Sequence, residues 1–193
     1  MRTGRPVLVM LAAVAAAAVA IVIAARLDRV RADRPPDPTG TAPAAELGAP
    51  LRITIPAIGV DAPLVAVGLR PDGAMQTPEF GHAGWYDLGP KPGQPGPAVV
   101  VAHVDSDAEG PDVFHRLREL HAGDRVTVHY PEGARTFAVT GKEQAAKTEL
   151  PAARIWNGTT MPVLRLITCG GPFDRKASSY LDNVIVYADQ LVA

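Results

Sequence analysis

Residues 162–172 read PVLRLITCGGP, and this stretch says most about the fold. Residues 163–167 are mostly of the apolar, branched type that forms a buried β-strand, and the Gly-Gly-Pro sequence at 170–172 predicts a break shortly after that strand. Cys169, the one cysteine in the sequence, stands where strand and break meet. A side chain at a strand end is held by the sheet and opens onto loops, so Cys169 is a candidate reactive group.

Several other short segments have the same β character. Strands are predicted at 51–55, 63–69, 98–102, 124–130, 135–140, 162–168 and 183–188. The sequence PEGA at 131–134 predicts a hairpin turn between two of them. Helical signals are short, at 112–120 and around 151–155. Many short strands separated by Gly and Pro turns predict a mainly β fold, a closed or nearly closed β-barrel.

The 193 residues divide into four segments by composition. Residues 1–6 form a short basic segment. Residues 7–25 form an uncharged apolar run close to the length that crosses a bilayer. Residues 26–48 are a proline-rich linker, which leaves 49–193 as the globular domain. The sequence therefore predicts a cytoplasmic N-terminus, a transmembrane anchor and a tethered β-barrel.

The length of the apolar run indicates whether it is cleaved, and its flanks indicate on which side of the membrane the globular domain lies. A cleaved signal peptide usually has a shorter apolar region, so a retained single-pass anchor is the preferred interpretation. The downstream flank carries Arg26, Arg29, Arg31 and Arg34 against two arginines upstream. A positive-inside count would place the globular domain in the cytoplasm, opposite to the extracellular placement adopted below.

The charge of the globular segment argues against nucleic-acid binding. Residues 49–193 contain thirteen Lys and Arg against sixteen Asp and Glu. A domain that binds nucleic acid needs a clustered positive surface, which this balance disfavours. No nucleic-acid partner is expected.

A thiol nucleophile needs a base, and five histidines compete for that role. His103 directly follows the buried-type strand 98–102 and is the best placed. His82, His115, His121 and His129 are interpreted as surface or structural residues.

The reaction also needs a donor for the negative charge that develops on a carbonyl oxygen under attack. Arg175, in the loop before the last strand, is one candidate. Arg165 is the other candidate. Side chains alternate between the two faces of a strand, so residues 165 and 169 lie on the same face.

Three separated motifs carry a family resemblance. The sequence RLITC at 165–169 resembles the T-L-x-T-C signature of sortases, with Arg in the first Thr position. AHVD at 102–105 resembles the family's G-H-x-D segment, and ITIPAIGVDAPL at 53–64 is similar to its first strand and turn. Residues 169–188 look most like the class F sortases of actinobacteria.

The resemblance implies a membrane-anchored cysteine transpeptidase on a closed eight-stranded β-barrel, with its domain outside the cell. It would cleave a C-terminal LPxTG-like sorting signal and transfer the acyl group to an amine of a peptidoglycan precursor or of a protein. Cys169 would be the nucleophile and His103 the general acid/base, with no cofactor or metal. The family's arginine sits near residues 181–184, where this sequence has none. Arg175 is therefore the preferred candidate, with Arg165 second and an amide from Asn183 third.

Other functions explain part of the sequence. A membrane-tethered β-barrel binding module with a buried, inert cysteine explains the anchor, linker and strands. An L,D-transpeptidase is disfavoured, because its His and Cys lie close in sequence. An acidic loop at 103–110 resembles the start of an EF-hand, but its twelfth position is Arg116 where a Glu is needed, so no such calcium site is predicted.

Overall fold

Ten β-strands form the framework of the described part of the chain, residues 47–156 and 158–191 of a computed structural model. The strands are β1 Arg52–Ile55, β2 Val60–Val67, β3 Ala83–Tyr86, β4 Gly96–Val101, β5 Asp105–Ser106, β6 Gly110–Pro111, β7 Arg125–Tyr130, β8 Gly133–Ala146, β9 Pro162–Asp174 and β10 Ser179–Gln190. Helical structure in these residues consists of a four-residue turn, Ala152–Ile155, and the 3-10 turns Pro56–Ile58, Leu117–Glu119 and Lys147–Glu149.

Eight of these strands close into a barrel in the order β1-β2-β3-β4-β9-β10-β8-β7. The pairs β2–β3 and β4–β9 are parallel and the other neighbours are antiparallel. Strands β5 and β6 form a separate small hairpin directly after β4. The prediction of a mainly β, closed eight-stranded barrel is confirmed.

The barrel has an apolar interior and a second apolar cluster on its outer face. Alternate residues such as Val100 of β4 and Leu164 and Leu166 of β9 are fully buried in the interior. The second cluster forms around Val99 and Ile185, which Ile155 from the helical turn covers. The outer face of β4, β9 and β10 is therefore partly covered by the β8–β9 connection.

The predicted hairpin is present, but the barrel strand β3 and the short strands β5 and β6 escaped prediction. Strands β7 and β8 pair from Tyr130 with Gly133 onward, so the turn is formed by residues 131–132. Strand β3, with the sequence AGWY, shows no period-two alternation because three of its four residues are buried. Its position depends on parallel pairing with β2, a long-range contact that local pattern does not encode.

The helix predicted at 112–120 is wrong. This segment folds as successive tight turns in which Leu117 N–H donates to Phe114 O and Leu120 N–H donates to Leu117 O, both three residues apart. The apolar side chains of this segment still point inward, and Phe114, Leu117 and Leu120 are fully buried. The apolar spacing therefore indicates burial correctly, although the hydrogen bonds are of the 3-10 type.

The break predicted after Cys169 is a β-bulge inside a longer strand. Strand β9 continues to Asp174, and its pairing with β10 shifts between Tyr180 opposite Phe173 and Asp182 opposite Gly170. Gly171 adopts φ +73°, and a Cβ on Gly170 would lie 2.8 Å from a methyl carbon of Val184. The two glycines thus give a bend and a close approach that other residues would obstruct.

The predicted N-terminal anchor at 7–25 and the linker at 26–48 fall, except for residues 47 and 48, outside the described residues. Among the helices of residues 47–156 and 158–191, none has the length and apolar character needed to cross a membrane.

Substituting Gly171→Ala should lower the free energy of unfolding by about 1–3 kcal/mol, because a side chain at positive φ is strained. The new Cβ would also collide with the Asp182 carboxylate. Urea denaturation measures the change. Gly141→Ala is the matched control, because open space surrounds that Cα in β8. Equal unfolding free energies for the two variants would contradict this account of the bulge.

Candidate functional site

Cys169 lies on the outer face of the barrel, directly before the β-bulge. In β9, Leu164 and Leu166 point into the core, whereas Ile167 packs in the outer cluster. Alternation therefore places Cys169 on the outer face, where it is half-buried and faces Asn183 across the β9–β10 pairing. The thiol is held by a central strand yet accessible, as a nucleophile requires.

The pairing of β4 with β9 brings His103 next to this cysteine. The two strands run parallel with a constant offset of 66 residues, seen in Val101 opposite Ile167. The offset persists past the end of β4, where the Thr168 hydroxyl donates to Ala102 O at 2.8 Å. Residues 103 and 169 are separated by the same 66 positions, so the register places both side chains at one level on one face.

Contacts from the β2–β3 connection fix the ring of His103. Its Nε2 lies 3.0 Å from Pro78 O, and the Phe80 ring stacks on the imidazole at 5.4 Å between centroids and 23° between planes. A carbonyl oxygen only accepts hydrogen bonds, so Nε2 carries a proton in this arrangement. Nδ1 is therefore the ring nitrogen left to exchange a proton with the site.

A cleft of about 830 Å³ opens above this pair. Cys169 is one of its lining residues, and the others come from two segments. We call these the 103–111 wall, which carries His103 and the β5–β6 hairpin, and the 173–180 wall, which carries Arg175 and Tyr180. Of the five histidines, all within the described residues, His103 alone lines this cleft.

Arg175 occupies a tight turn at the edge of the cleft. The Asp174 carboxylate accepts hydrogen bonds from the backbone N–H of Lys176 at 2.8 Å and of Ala177 at 3.3 Å. Ser178 closes the turn with φ +48°. The turn leaves the Arg175 side chain exposed and facing the same cleft as Cys169 and His103.

Arg165, the second candidate, does not line this cleft. Its side chain is buried and its guanidinium stacks over the Tyr187 ring, 4.8 Å from the ring centroid. It donates to Leu164 O at 3.1 Å and to Arg154 O at 3.4 Å. Burial lowers the pKa of the Arg165 guanidinium. Arg165 therefore stabilises the helical turn that covers the outer face.

The neighbours of Arg165 extend this structural network. The Tyr187 hydroxyl donates to the Glu143 carboxylate, which also pairs with Arg154. Burial, with this hydrogen bond, raises the pKa of Tyr187 to about 12. The phenol thus stays protonated at neutral pH and ties β10 to β8.

A hydrogen bond across the cleft was missed by sequence reasoning. The Tyr180 hydroxyl donates to Asp105, 2.9 Å from Oδ1 and 2.8 Å from Oδ2. Both residues fall within the motifs quoted above, yet their 75-residue separation gave no signal that they meet. Asp105 therefore acts as a hydrogen-bond partner in the structure.

The described residues contain no group of three or more His, Cys, Asp or Glu side chains able to hold a metal ion.

Comparisons with known proteins agree on one family. The sortase domain model matches residues 53–191. Sortase C1 from Streptococcus suis is 17% identical, with a TM-score of 0.58 over 75% of this chain and 73% of that one. Sortase A from Corynebacterium diphtheriae is 16% identical, with a TM-score of 0.58 over 78% of this chain and 64% of that one. A Clostridium perfringens sortase D5 transpeptidase is 15% identical, with a TM-score of 0.55 over 76% and 82%. No curated protein matches the sequence.

The free energies of unfolding of the Arg165→Ala and Arg175→Ala variants should differ, because Arg165 is buried in the structure and Arg175 is exposed at the cleft. Arg165→Ala should lower the free energy of unfolding by about 2 kcal/mol or more, because the carbonyl oxygens of Leu164 and Arg154 lose the Arg165 donor. Arg175→Ala should change it by less than about 0.5 kcal/mol, because the side chain is exposed. Urea denaturation measures both. An Arg165 variant as stable as the unsubstituted protein would contradict the assignment.

Proposed function

This chain belongs to the sortase family of cysteine transpeptidases, and we propose that Cys169 is its nucleophile and His103 its general acid/base. The observation that carries the proposal is the β4–β9 register, which sets both side chains at one level on one face, where both line the same cleft. Members of this family cleave sorting signals and transfer them to amine nucleophiles.

In the first half-reaction the Cys169 thiolate attacks the carbonyl carbon of the scissile peptide bond. As the C–N bond breaks, His103 gives a proton to the leaving nitrogen, and the acyl group remains as a thioester on Sγ. We assign the transfer to Nδ1, because the Nε2 proton is held by Pro78 O. Proton donation is needed here, since an unprotonated amine anion is a poor leaving group.

In the second half-reaction an incoming amine attacks the thioester carbonyl. His103, which has given up its proton, accepts one from the attacking nitrogen, and the C–S bond breaks to return Cys169 as the thiolate. Each proton and each bond is then accounted for over the cycle. The reaction as proposed needs no cofactor or metal ion.

Arg175 is proposed to stabilise the oxyanion or to hold the substrate. A guanidinium supplies a fixed positive charge and several donors where a negative charge develops. Arg175 is the arginine that lines the cleft, whereas Arg165 is engaged beneath the helical turn. Asn183, opposite Cys169 on β10, is the remaining candidate for an amide donor.

The substrate class and the subclass rest on the sequence motifs. We propose a C-terminal LPxTG-like signal as donor, and an amine of a peptidoglycan precursor or of a protein as acceptor. The stretch from Cys169 through residues 170–174 to 180–188 supports class F. The proposed location is the cell membrane, with a single-pass anchor at 7–25 and the barrel outside the cell. The length and apolar character of that run support the anchor.

The competing interpretation is a tethered binding module with an inert cysteine. That interpretation expects Cys169 in the core, whereas Cys169 is half-buried and lines an open cleft. Reactivity separates the two functions. Alkylation of Cys169 in the folded state favours the enzyme, and alkylation only in denaturant favours the binding module.

Incubating the full-length protein in detergent with a library of sorting-signal peptides should give an acyl-enzyme. Intact-mass spectrometry should find an adduct on Cys169 that hydroxylamine releases. Cys169→Ala should form none, and His103→Gln should form it at least about 100-fold more slowly, the usual size of a general acid/base contribution. A His103 variant with an unchanged acylation rate would contradict its role.

Arg175→Gln should lower the rate of acylation by about tenfold or more, since charged donors to an oxyanion contribute on that scale or above it. Lys176→Gln is the matched control, because this neighbouring cation is exposed but does not line the cleft. Rates of acyl-enzyme formation are compared at equal peptide concentration. If both variants retain the unsubstituted rate, the assignment of Arg175 fails.

A further inference from the structure

The hydrogen bond from Tyr180 to Asp105 joins the two walls of the cleft. Tyr180 belongs to β10 and to the 173–180 wall, and Asp105 belongs to β5 and to the 103–111 wall. The hydroxyl lies 2.9 Å and 2.8 Å from the two carboxylate oxygens. Cys169 lines the same cleft as these walls. We call this contact the cross-cleft hydrogen bond.

Each end of the cross-cleft hydrogen bond is fixed by its own surroundings. Asp105 pairs with Pro111 in the β5–β6 hairpin, and His115 Nδ1 lies 4.0 Å from its carboxylate. The Tyr180 ring packs edge-on against Phe173, 5.1 Å between centroids. A hydrogen bond between two groups that are already ordered costs little further side-chain entropy.

Two contacts tie the 173–180 wall to neighbouring elements near Tyr180: Lys147 Nζ donates to Ser179 Oγ at 2.8 Å, and Tyr180 donates to Asp105. The β-bulge interrupts the β9–β10 pairing between Tyr180 and Asp182, so the hairpin end that carries Arg175 is joined to the barrel through an irregular ladder. The cross-cleft hydrogen bond attaches this end to the hairpin that follows His103. The acceptor carboxylate raises the pKa of Tyr180, which keeps the phenol protonated and donating at neutral pH.

We propose that Tyr180 and Asp105 are a positioning pair that sets the distance between the wall carrying Arg175 and the wall carrying His103. The inference rests on the proposed function, because it concerns a substrate acylated at Cys169 between these walls. Neither residue is assigned a step in bond making. Their effect is on the alignment of groups that contact the substrate.

The test compares a large substrate with a small reagent on the same thiol. Full-length protein in detergent carries Tyr180→Phe, Asp105→Ala or both substitutions, and a reactive sorting-signal peptide and iodoacetamide are the two probes. Acylation by the peptide should fall by about tenfold, the effect of losing one charge-assisted hydrogen bond. Alkylation by iodoacetamide should change less than about twofold, because a small reagent does not span the walls.

A double-mutant cycle separates one shared bond from two independent roles. The double variant should acylate at the rate of either single variant, because both remove the same bond. Asp105→Asn, whose amide oxygen still accepts a hydrogen bond, should fall between Asp105→Ala and the unsubstituted protein. Asp87→Asn and Tyr86→Phe are the matched controls, because neither residue lines the cleft, and both should leave the ratio of acylation to alkylation unchanged. Losses that multiply in the double variant, or a Tyr180→Phe variant with the unsubstituted ratio, overturn the proposal.

Hydrogen–deuterium exchange makes the test independent of catalysis. Deuterium uptake over 173–180 should rise in Tyr180→Phe and in Asp105→Ala but not in Asp87→Asn. If the unsubstituted protein forms no acyl-enzyme with any peptide, the proposed function fails. Deuterium uptake over 173–180 then tests by itself whether Tyr180 and Asp105 hold the two walls together. Unchanged uptake in both variants overturns the pair even when the enzyme is active.

Discussion

The parallel pairing of β4 with β9 is the constraint on which the site depends. Its offset of 66 residues holds from Gly96 opposite Pro162 to the Thr168 bond with Ala102, and it brings His103 level with Cys169. A slip of one residue would turn one of the two side chains to the opposite face of the sheet. The fully buried Val100 and Leu166, paired in this register, oppose such a slip. The core packing that stabilises the barrel therefore also aligns the two residues proposed as the catalytic pair.

The remaining features define the space above that pair. The bulge at Gly171 turns β9 away from a regular ladder and lets the 173–180 wall carry Arg175 to the cleft. The cross-cleft hydrogen bond joins this wall to the hairpin after His103. Farther along the same face, Arg165 and Tyr187 hold the covering turn in place. Two arginines that sequence spacing could not separate thus have different surroundings, one in the cleft and one in a buried stack.

Local pattern predicted much of the fold, and it selected Cys169 and His103 as the residues proposed for catalysis. Alternation found most strands and the β7–β8 hairpin, and the position of His103 after a buried strand selected it among five histidines. The errors share a cause, because long-range contacts overrode local preference. Strand β3 is set by pairing with β2, and the 112–120 segment is shaped by burial of Phe114. Likewise, the Tyr180–Asp105 contact spans 75 residues, so no local pattern could predict it.

The most direct test of the account is the rate at which iodoacetamide alkylates Cys169 in the folded protein near neutral pH, with and without His103. An isolated thiol is only a few per cent thiolate there, so a working pair makes Cys169 more reactive than a free cysteine. The account predicts fast alkylation in the unsubstituted protein and a fall of about tenfold or more in His103→Gln. Equal rates in the two proteins, or a Cys169 that reacts only after denaturation, would contradict it.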